Sequence, residues 1–157
     1  MLKKYLFIFL VSMVPLIELR GAIPFSQGFN LPLLQSYIVC IIGNMVPVPI
    51  IFLFARKVLE WGCDKPVIGK FFTFCIEKGH KGGAKLQEKA GRGLYIALLL
   101  FVGVPLPGTG AWTGTLAASF LDMDFKKSVI AVLGGVLLAG IIMGAVSAGL
   151  FGVIRGF

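Results

Sequence analysis

Apolar runs alternate between short and long along the chain, with polar breaks between them. The first half has a short run at Tyr5–Ile17 and a long run at Leu31–Ala55. The second half repeats this order, with a short run at Leu94–Val104 and a long run at Ser128–Ile154. A transmembrane helix needs about 20 apolar residues, so each long run predicts one span and neither short run is long enough. The pattern predicts an all-α integral membrane protein.

Each short run ends in residues that interrupt a helix. Val14–Leu16 and Val104–Leu106 share the sequence V-P-L at an offset of 90 residues, and Ser36 and Ser128 stand in the two long segments at an offset of 92. Paired apolar segments that are short or interrupted by Gly and Pro are typical of transporters built from repeats. We therefore predict two inverted repeats, each a re-entrant helical hairpin plus a full transmembrane helix. The alternative is four plain spanning helices.

This interpretation treats the 157 residues as a single membrane domain. Its predicted parts are a first re-entrant hairpin at 5–30, a transmembrane helix at 31–55, a basic cytoplasmic or interfacial loop at 56–93, a second re-entrant hairpin at 94–121 and a transmembrane helix at 128–154.

Charge is concentrated in the predicted loop. The chain is 57% hydrophobic with a net charge of +8, and 13 of its 22 charged residues lie between Arg56 and Arg92. Such a composition excludes an ordinary soluble domain. Because membrane proteins concentrate Lys and Arg in cytoplasmic loops, the surplus indicates membrane lipids as partners and requires no nucleic acid.

Catalysis has no support in the sequence. There is no Ser/His/Asp set and no H-E-x-x-H motif, and Cys40, Cys63 and Cys75 lack metal-ligand spacing. We expect neither an enzyme nor a cofactor nor a metal site.

Glu18 and Arg20 are the only charged residues embedded in apolar sequence. Ionisable groups at membrane depth are costly and usually mark a pathway or a site. Arg20 has the fork geometry that suits phosphate or carboxylate. Apolar surroundings disfavour a charged carboxylate, so Glu18 is the candidate for proton coupling. The alternative is that the two residues cap the hairpin and neutralise each other.

The break in the second half reads P-L-P-G-T-G-A-W-T-G, at Pro105–Gly114. If a helix begins near Thr109 or Ala111, its N-terminal end points into the protein and favours an anionic group. A structural hairpin tip is the alternative. The candidate substrate-binding residues of this motif are Pro105, Pro107, Gly108, Thr109, Gly110, Trp112 and Thr113.

Asn44 is a polar residue inside the first long run, three positions before Pro47. Its amide is expected to hydrogen-bond carbonyl groups freed by the prolines, and a substrate contact is the alternative.

Small residues recur every fourth position in the last run, at Gly140, Gly144, Ala148 and Gly152. This spacing predicts a helix face for close packing. The face serves either contacts within the monomer or a homodimer.

The combination of E-L-R-G-A-I-P at Glu18–Pro24 with the motif at Pro105–Gly114 resembles the small multi-drug export protein family of bacteria and archaea. That family itself looks like a compact relative of the DedA (SNARE-associated, VTT-domain) superfamily. The resemblance implies opposed re-entrant hairpins in a multi-pass protein of the cytoplasmic (inner) membrane. It also implies movement of phospholipids or polyprenyl phosphate, with Glu18 and Arg20 in the place of the DedA hairpin charges.

From these observations we expect a proton-coupled transporter or flippase that moves an anionic lipid headgroup, specifically undecaprenyl phosphate. Arg20 and the second break would bind the phosphate. One alternative is an exporter of cationic drugs, in which Glu18 binds the cation and Trp112 offers a π face. The other is a membrane scaffold that transports nothing.

Overall fold

A computed structural model describes residues 1–15, 17–70, 73–74, 77, 91–106 and 108–155, without the side chains of 154 and 155. Predictions that concern Pro107, or residues 78–90 of the basic loop, lie outside the described residues. Within the described part of the chain, every regular element is a helix. In chain order the helices are α1 Leu2–Met13, α2 Glu18–Gly28, α3 Leu33–Met45, α4 Pro47–Cys63, α5 Arg92–Gly103, α6 Ala111–Phe120 and α7 Phe125–Arg155.

Among the described residues, two helices are long and apolar enough to cross a membrane. Because Val46 keeps helical angles (φ −56°, ψ −48°), α3 and α4 join into the first long helix, Leu33–Cys63, with 31 residues. The second long helix is α7, with 31 residues at Phe125–Arg155. The remaining helices form the first short pair, α1 and α2, and the second short pair, α5 and α6. At 12 residues, α1 and α5 reach only roughly 18 Å each.

The long helices extend beyond the predicted spans. The first was expected to end at Ala55 but continues through Arg56 to Cys63. A helix can continue beyond the apolar run because charged side chains at its end can remain solvated. The helix ends at Cys63, shortly before Lys65 and Pro66. A residue that precedes a proline, here Lys65, disfavours helical angles. The second long helix begins at Phe125 because Asp124 accepts the Lys127 backbone N–H over 2.9 Å and caps the first turn.

Both short pairs break at the predicted prolines. Helix α1 ends at Met13, and the next residue, Val14 (φ −73°, ψ 129°), is extended before Pro15. In the same way α5 ends at Gly103, and Val104 (φ −80°, ψ 120°) is extended before Pro105. A residue that precedes proline is pushed into this extended region. The two helix ends, marked by Val14 and Val104, are therefore related by the same offset of 90 residues as the V-P-L motifs in the sequence.

The turns after α2 and α6 are also alike. Asn30 (φ 58°) and Asp122 (φ 55°) both adopt the left-handed conformation, in which Asn and Asp are enriched. The next residue in each half donates its backbone N–H to a carbonyl five residues earlier over 3.0 Å, as in Leu31 to Ser26 and Met123 to Ala118. These helix endings repeat at an offset of 92, so the two halves share one order of helices and turns.

Each half packs its first short helix closely against its own long helix. A Cβ added at Gly43 would lie 2.6 Å from the Phe9 carbonyl oxygen, and one added at Gly135 would lie 2.6 Å from the Leu99 carbonyl oxygen. Only glycine permits this approach of two backbones, which is common between helices in membranes.

The second short helix of each half packs against the long helix of the other half, α2 on α7 and α6 on α4. Two hydrogen bonds of 2.9 Å add to these contacts between halves. The Tyr37 hydroxyl donates to the Leu137 carbonyl, and the Ser119 hydroxyl donates to the Phe52 carbonyl. The core is therefore built by both halves together.

Candidate functional site between the two short pairs

Glu18 of the first short pair caps a helix of the second. Its side chain is 3% exposed. Oε1 accepts the backbone N–H of Trp112 over 3.0 Å, and Oε2 accepts that of Ala111 over 3.2 Å. Because α6 begins at Ala111, these are N–H groups without a partner inside the helix, and the helix dipole favours a negative charge beside them. The sequence predicted an anionic group at this helix end, and the group found there is the protein's own carboxylate.

Backbone strain accompanies this contact. Glu18 has φ +51°, which is rare for a residue with a Cβ, and such conformations cost roughly 1–3 kcal/mol and cluster at functional positions. Gly110 lies opposite with φ +140°, and a Cβ there would come within 2.7 Å of Glu18 Oε1. Both the angle and the close approach require glycine at this position.

Arg20 binds the other end of the same break. Nη2 donates to the carbonyl oxygens of Val102 (2.9 Å) and Val104 (3.1 Å), at the C-terminal end of α5. Nη1 donates to the carbonyl oxygens of Leu106 (2.9 Å) and Thr109 (3.0 Å), and the Thr109 hydroxyl also lies 3.0 Å away. The last carbonyls of a helix lack internal partners and favour a cation. The guanidinium therefore stabilises the C-terminus of α5 together with the loop that follows.

Trp112 makes a corresponding contact in the opposite direction. Its Nε1–H donates to the carbonyl of Met13, the last residue of α1, over 3.1 Å. Trp112 follows Arg20 by 92 residues, the same offset as the matching turns. Each side chain thus caps the first short helix of the other half, with a charge in one direction and a neutral indole in the other. We call Glu18, Arg20 and the residues 102–106 and 108–112 around the second break the junction.

The structure thus brings several sequence-predicted site residues together. Thr109 belongs to the junction, where its hydroxyl can donate to the carbonyl of Leu106 (2.8 Å) or Val104 (3.0 Å). Thr113 lies in the first turn of α6, with its hydroxyl 3.5 Å from the Gly110 carbonyl. Gly108 has φ +81°, and a Cβ added there would meet nothing within 4 Å.

Asn44 is not hydrogen-bonded to the junction. It is 0% exposed, and neither Nδ2 nor Oδ1 has a hydrogen-bond partner. The predicted bonds to carbonyls freed by the prolines are therefore not formed. An unsatisfied buried amide costs about 1–3 kcal/mol, and a substrate contact at Asn44 stays a prediction.

The ladder of small residues divides into a buried and an exposed part. Gly140 packs inside the chain, because a Cβ there would lie 2.9 Å from the Tyr37 ring and 3.0 Å from a methyl group of Leu19. Gly144 is also buried, whereas Ala148 and Gly152 are exposed.

Two features depend on tertiary contacts and were missed by the sequence analysis. Arg56, at the level where the predicted span ends, forms an ion pair with Asp122 in the turn after α6. A groove of about 730 Å³ also lies between α5 and α7, with Arg92 and Lys127 among its lining residues. The charges were visible in the sequence, but no local pattern indicates which helices meet.

Among the described residues, no group of three or more His, Cys, Asp or Glu side chains is placed to hold a metal ion.

The two long apolar helices and the all-helical fold around a buried, charged junction define a membrane protein. Residues 18–142 match the family model described as "Putative small multi-drug export protein". The match covers most of the chain and both sequence motifs, and the chain belongs to this family. No curated protein and no solved structure matches the chain. The family points to a transporter rather than an enzyme, while the relation to DedA proteins stays a prediction.

Proposed function

We propose that the protein is a proton-coupled membrane exporter in which Glu18 is the coupling carboxylate. The observation that carries this proposal is the position of Glu18, buried between the two short pairs with its carboxylate on the N-terminus of α6. A charged carboxylate there joins the two halves of the chain. The protonation state of one group therefore influences a contact on which the packing of both halves depends.

Protonation weakens this contact in two ways. Hydrogen bonds to a charged acceptor are roughly twice as strong as those to a neutral one, and the interaction with the helix dipole contributes up to about 2 kcal/mol in partly buried geometries. A loss of this size shifts a two-state equilibrium by a factor of ten or more. Proton binding releases α6 from Glu18, and proton loss restores the contact.

The substrate class is a small hydrophobic cation, in keeping with the family description. Arg20 is the obvious electrostatic objection, since a cation is repelled by a neighbouring guanidinium. However, the Arg20 side chain is bound to the carbonyl oxygens at the end of α5. A cation that reaches Glu18 then competes with the N-terminus of α6 for the carboxylate, and Trp112, whose backbone N–H bonds that carboxylate, is the aromatic residue proposed to offer a π face.

In this proposal each short pair is a re-entrant hairpin, and the two halves are inverted repeats. Two observations support this topology: α1 and α5 are too short to span alone, and Arg20, at the start of α2, contacts Leu106 and Thr109 in the break of the second pair. Non-helical backbone at membrane depth is tolerated only inside protein or beside a water-filled cavity. With hairpins, both termini lie on the side opposite the basic loop.

Thiol labelling tests the topology. A cysteine introduced at Lys3 of a cysteine-free variant reports the side of the N-terminal end in intact cells, and a cysteine at Ser147 is measured beside it. Labelling from outside at Lys3 is expected, and protection at Lys3 contradicts the hairpins because four plain spans place that end in the cytoplasm. Ser147 is buried and serves as the unlabelled control.

Transport of an anionic lipid headgroup, specifically undecaprenyl phosphate, is a second candidate function. The observation that favours it is Arg20 Nε, a buried donor that has no hydrogen-bond partner. An anion would bind this edge of the guanidinium through the Nε–H. The possible homodimer along Gly140, Gly144, Ala148 and Gly152 would then use only the exposed Ala148 and Gly152.

Proteoliposomes with an imposed pH gradient distinguish the two candidates. Uptake of a cationic dye and translocation of undecaprenyl phosphate are measured for the wild type, Glu18→Gln and Arg20→Ala. Asp124→Asn is the matched control, because Asp124 also caps a helix N-terminus but lies exposed at the surface. We expect Glu18→Gln to lose proton-driven dye transport and Asp124→Asn to keep it.

Each remaining outcome has a definite meaning. Loss of lipid translocation in both Glu18→Gln and Arg20→Ala, without dye transport in the wild type, supports the lipid function. Dye transport by Glu18→Gln at the wild-type rate refutes Glu18 as the coupling group. If no flux depends on the protein, the scaffold interpretation holds.

A further inference from the structure

The groove between α5 and α7 has a basic end and an apolar length. The two helices run parallel, because Leu99 faces Gly134 and, further along, Gly103 faces Leu138. Both helices therefore begin at the same end of the groove. The lining residues are Gly91, Arg92, Tyr95, Ile96, Leu99, Lys127, Ile130 and Ala131.

The basic end suits a phosphate group. Arg92 is the first residue of α5, and Lys127 lies in the first turn of α7, with its Nζ 5.8 Å from the centre of the Tyr95 ring. The Tyr95 hydroxyl oxygen accepts the Asp124 backbone N–H at 3.4 Å, so its own O–H remains a donor. Two cations, a hydroxyl and the N-terminus of α5, which has no side-chain cap, match the charge and the acceptors of a phosphodiester.

The rest of the groove suits a hydrocarbon chain. Ile96 and Ile130 line it while 58% and 68% exposed, and Leu99 and Ala131 complete its apolar part. In a membrane protein such side chains face lipid, and basic pockets between helices on the cytoplasmic side bind anionic headgroups. Charge and shape together favour one occupant, a lipid with a phosphate head and an acyl tail.

The first half of the chain provides an internal comparison. At the offsets of 90 and 92 residues, Tyr5 corresponds to Tyr95 and Gln35 corresponds to Lys127. In the first half the Tyr5 hydroxyl donates to the Gln35 side chain, and Leu2 stands where the second half has Arg92. The tyrosine is thus common to both halves, whereas the two groove cations occur only in the second.

We propose that the α5–α7 groove binds one anionic glycerophospholipid, with the phosphate at Arg92, Lys127 and Tyr95 and an acyl chain along Ile96 and Ile130. This site is separate from the junction and does not rest on the exporter proposal. It gives the second half of the chain a fixed lipid contact that the first half lacks.

Lipid retention by the purified full chain tests this proposal. Native mass spectrometry in neutral detergent measures bound phosphatidylglycerol and phosphatidylcholine for the wild type and for Arg92→Gln/Lys127→Gln. The matched control is Lys3→Gln/Lys126→Gln, which loses the same charge at exposed lysines that do not line the groove. At about 1 kcal/mol per cation near a lipid surface, phosphatidylglycerol binding is expected to fall about 30-fold in the groove variant and by less than about 3-fold in the control.

Two results overturn the proposal. Equal losses in both double variants would indicate diffuse surface charge and no defined site. Displacement of the lipid by an equal concentration of soluble glycerol 3-phosphate would indicate a site for free phosphate. Since binding is measured without any gradient or transport, failure here is distinct from failure of the exporter proposal.

Discussion

Gly110→Ala is the sharpest perturbation of the junction, because it leaves every charged residue in place. An added Cβ would lie 2.7 Å from Glu18 Oε1 and 2.8 Å from Cδ, at a residue with φ +140°. The carboxylate then has to leave the backbone N–H groups of Ala111 and Trp112. Its two charge-assisted hydrogen bonds contribute about 1.5–3 kcal/mol each, and the left-handed angle adds about 1–2 kcal/mol. We expect a loss of about 4–6 kcal/mol in the free energy of unfolding once partial relaxation of the side chain is allowed for.

Gly108→Ala is the matched control for backbone strain. Gly108 also has a left-handed φ, +81°, but a Cβ there meets nothing within 4 Å. Its cost is therefore the strain alone, about 1–2 kcal/mol. Gly110, with φ +140° and ψ −175°, lies in a different region that is essentially restricted to glycine, so the collision is isolated by repeating both variants without the Glu18 carboxylate.

The assay is unfolding in mixed micelles by added sodium dodecyl sulfate, followed by circular dichroism. Gly110→Ala and Gly108→Ala are each measured in the wild-type background and in a Glu18→Ala background. Without the carboxylate the collision disappears, so Gly110→Ala should then cost only its backbone strain, about 1–3 kcal/mol. Coupling between positions 18 and 110 should exceed about 1.5 kcal/mol in this double-mutant cycle. Equal costs of the two alanines in the presence of Glu18 would refute the reasoning.

The remaining predictions concern three other side chains. Arg20→Lys should lower the free energy of unfolding by about 1–3 kcal/mol, because one ammonium group cannot reach the partners of both Nη1 and Nη2; an unchanged midpoint in the same assay contradicts this. Trp112→Phe removes the hydrogen bond to Met13 and one ring of the indole; the lost hydrogen bond should cost about 0.5–1.5 kcal/mol, and a cost above about 3 kcal/mol would indicate that lost packing dominates. Asn44→Leu should raise stability by about 1–3 kcal/mol because the buried amide has no partner, and a simultaneous loss of transport in proteoliposomes would assign Asn44 to the substrate path.

The helices and their breaks could be predicted from the sequence because their causes are local. Apolar run length distinguishes α7 from the short helices, and Pro15 and Pro105 end α1 and α5 through their effect on the preceding residue. The importance of Glu18 and Arg20 was predicted for a local reason too, since charge within an apolar run is costly wherever it lies.

The partners of these charges could not be predicted. Glu18 and Arg20 are two residues apart, and local reasoning pairs them with each other or with a ligand. In the structure they bind opposite ends of a break about 90 residues away, a contact that exists only after α2 and α6 have packed. This arrangement also explains why Gly93–Leu121 needs no charge of its own. The first half supplies both charges to the break in the second.

The distance along the chain between Glu18 and the backbone it caps has a consequence for synthesis. At 5–20 residues per second, the 94 residues from Glu18 to Trp112 take about 5–20 s to follow. During that interval the first short pair has already left the ribosome with a carboxylate and a guanidinium that lack their helix ends. Charge at membrane depth is costly, so we expect the first pair to stay in a polar environment until the second break has been made. Membrane entry of the first pair is then expected to follow the translation of Trp112.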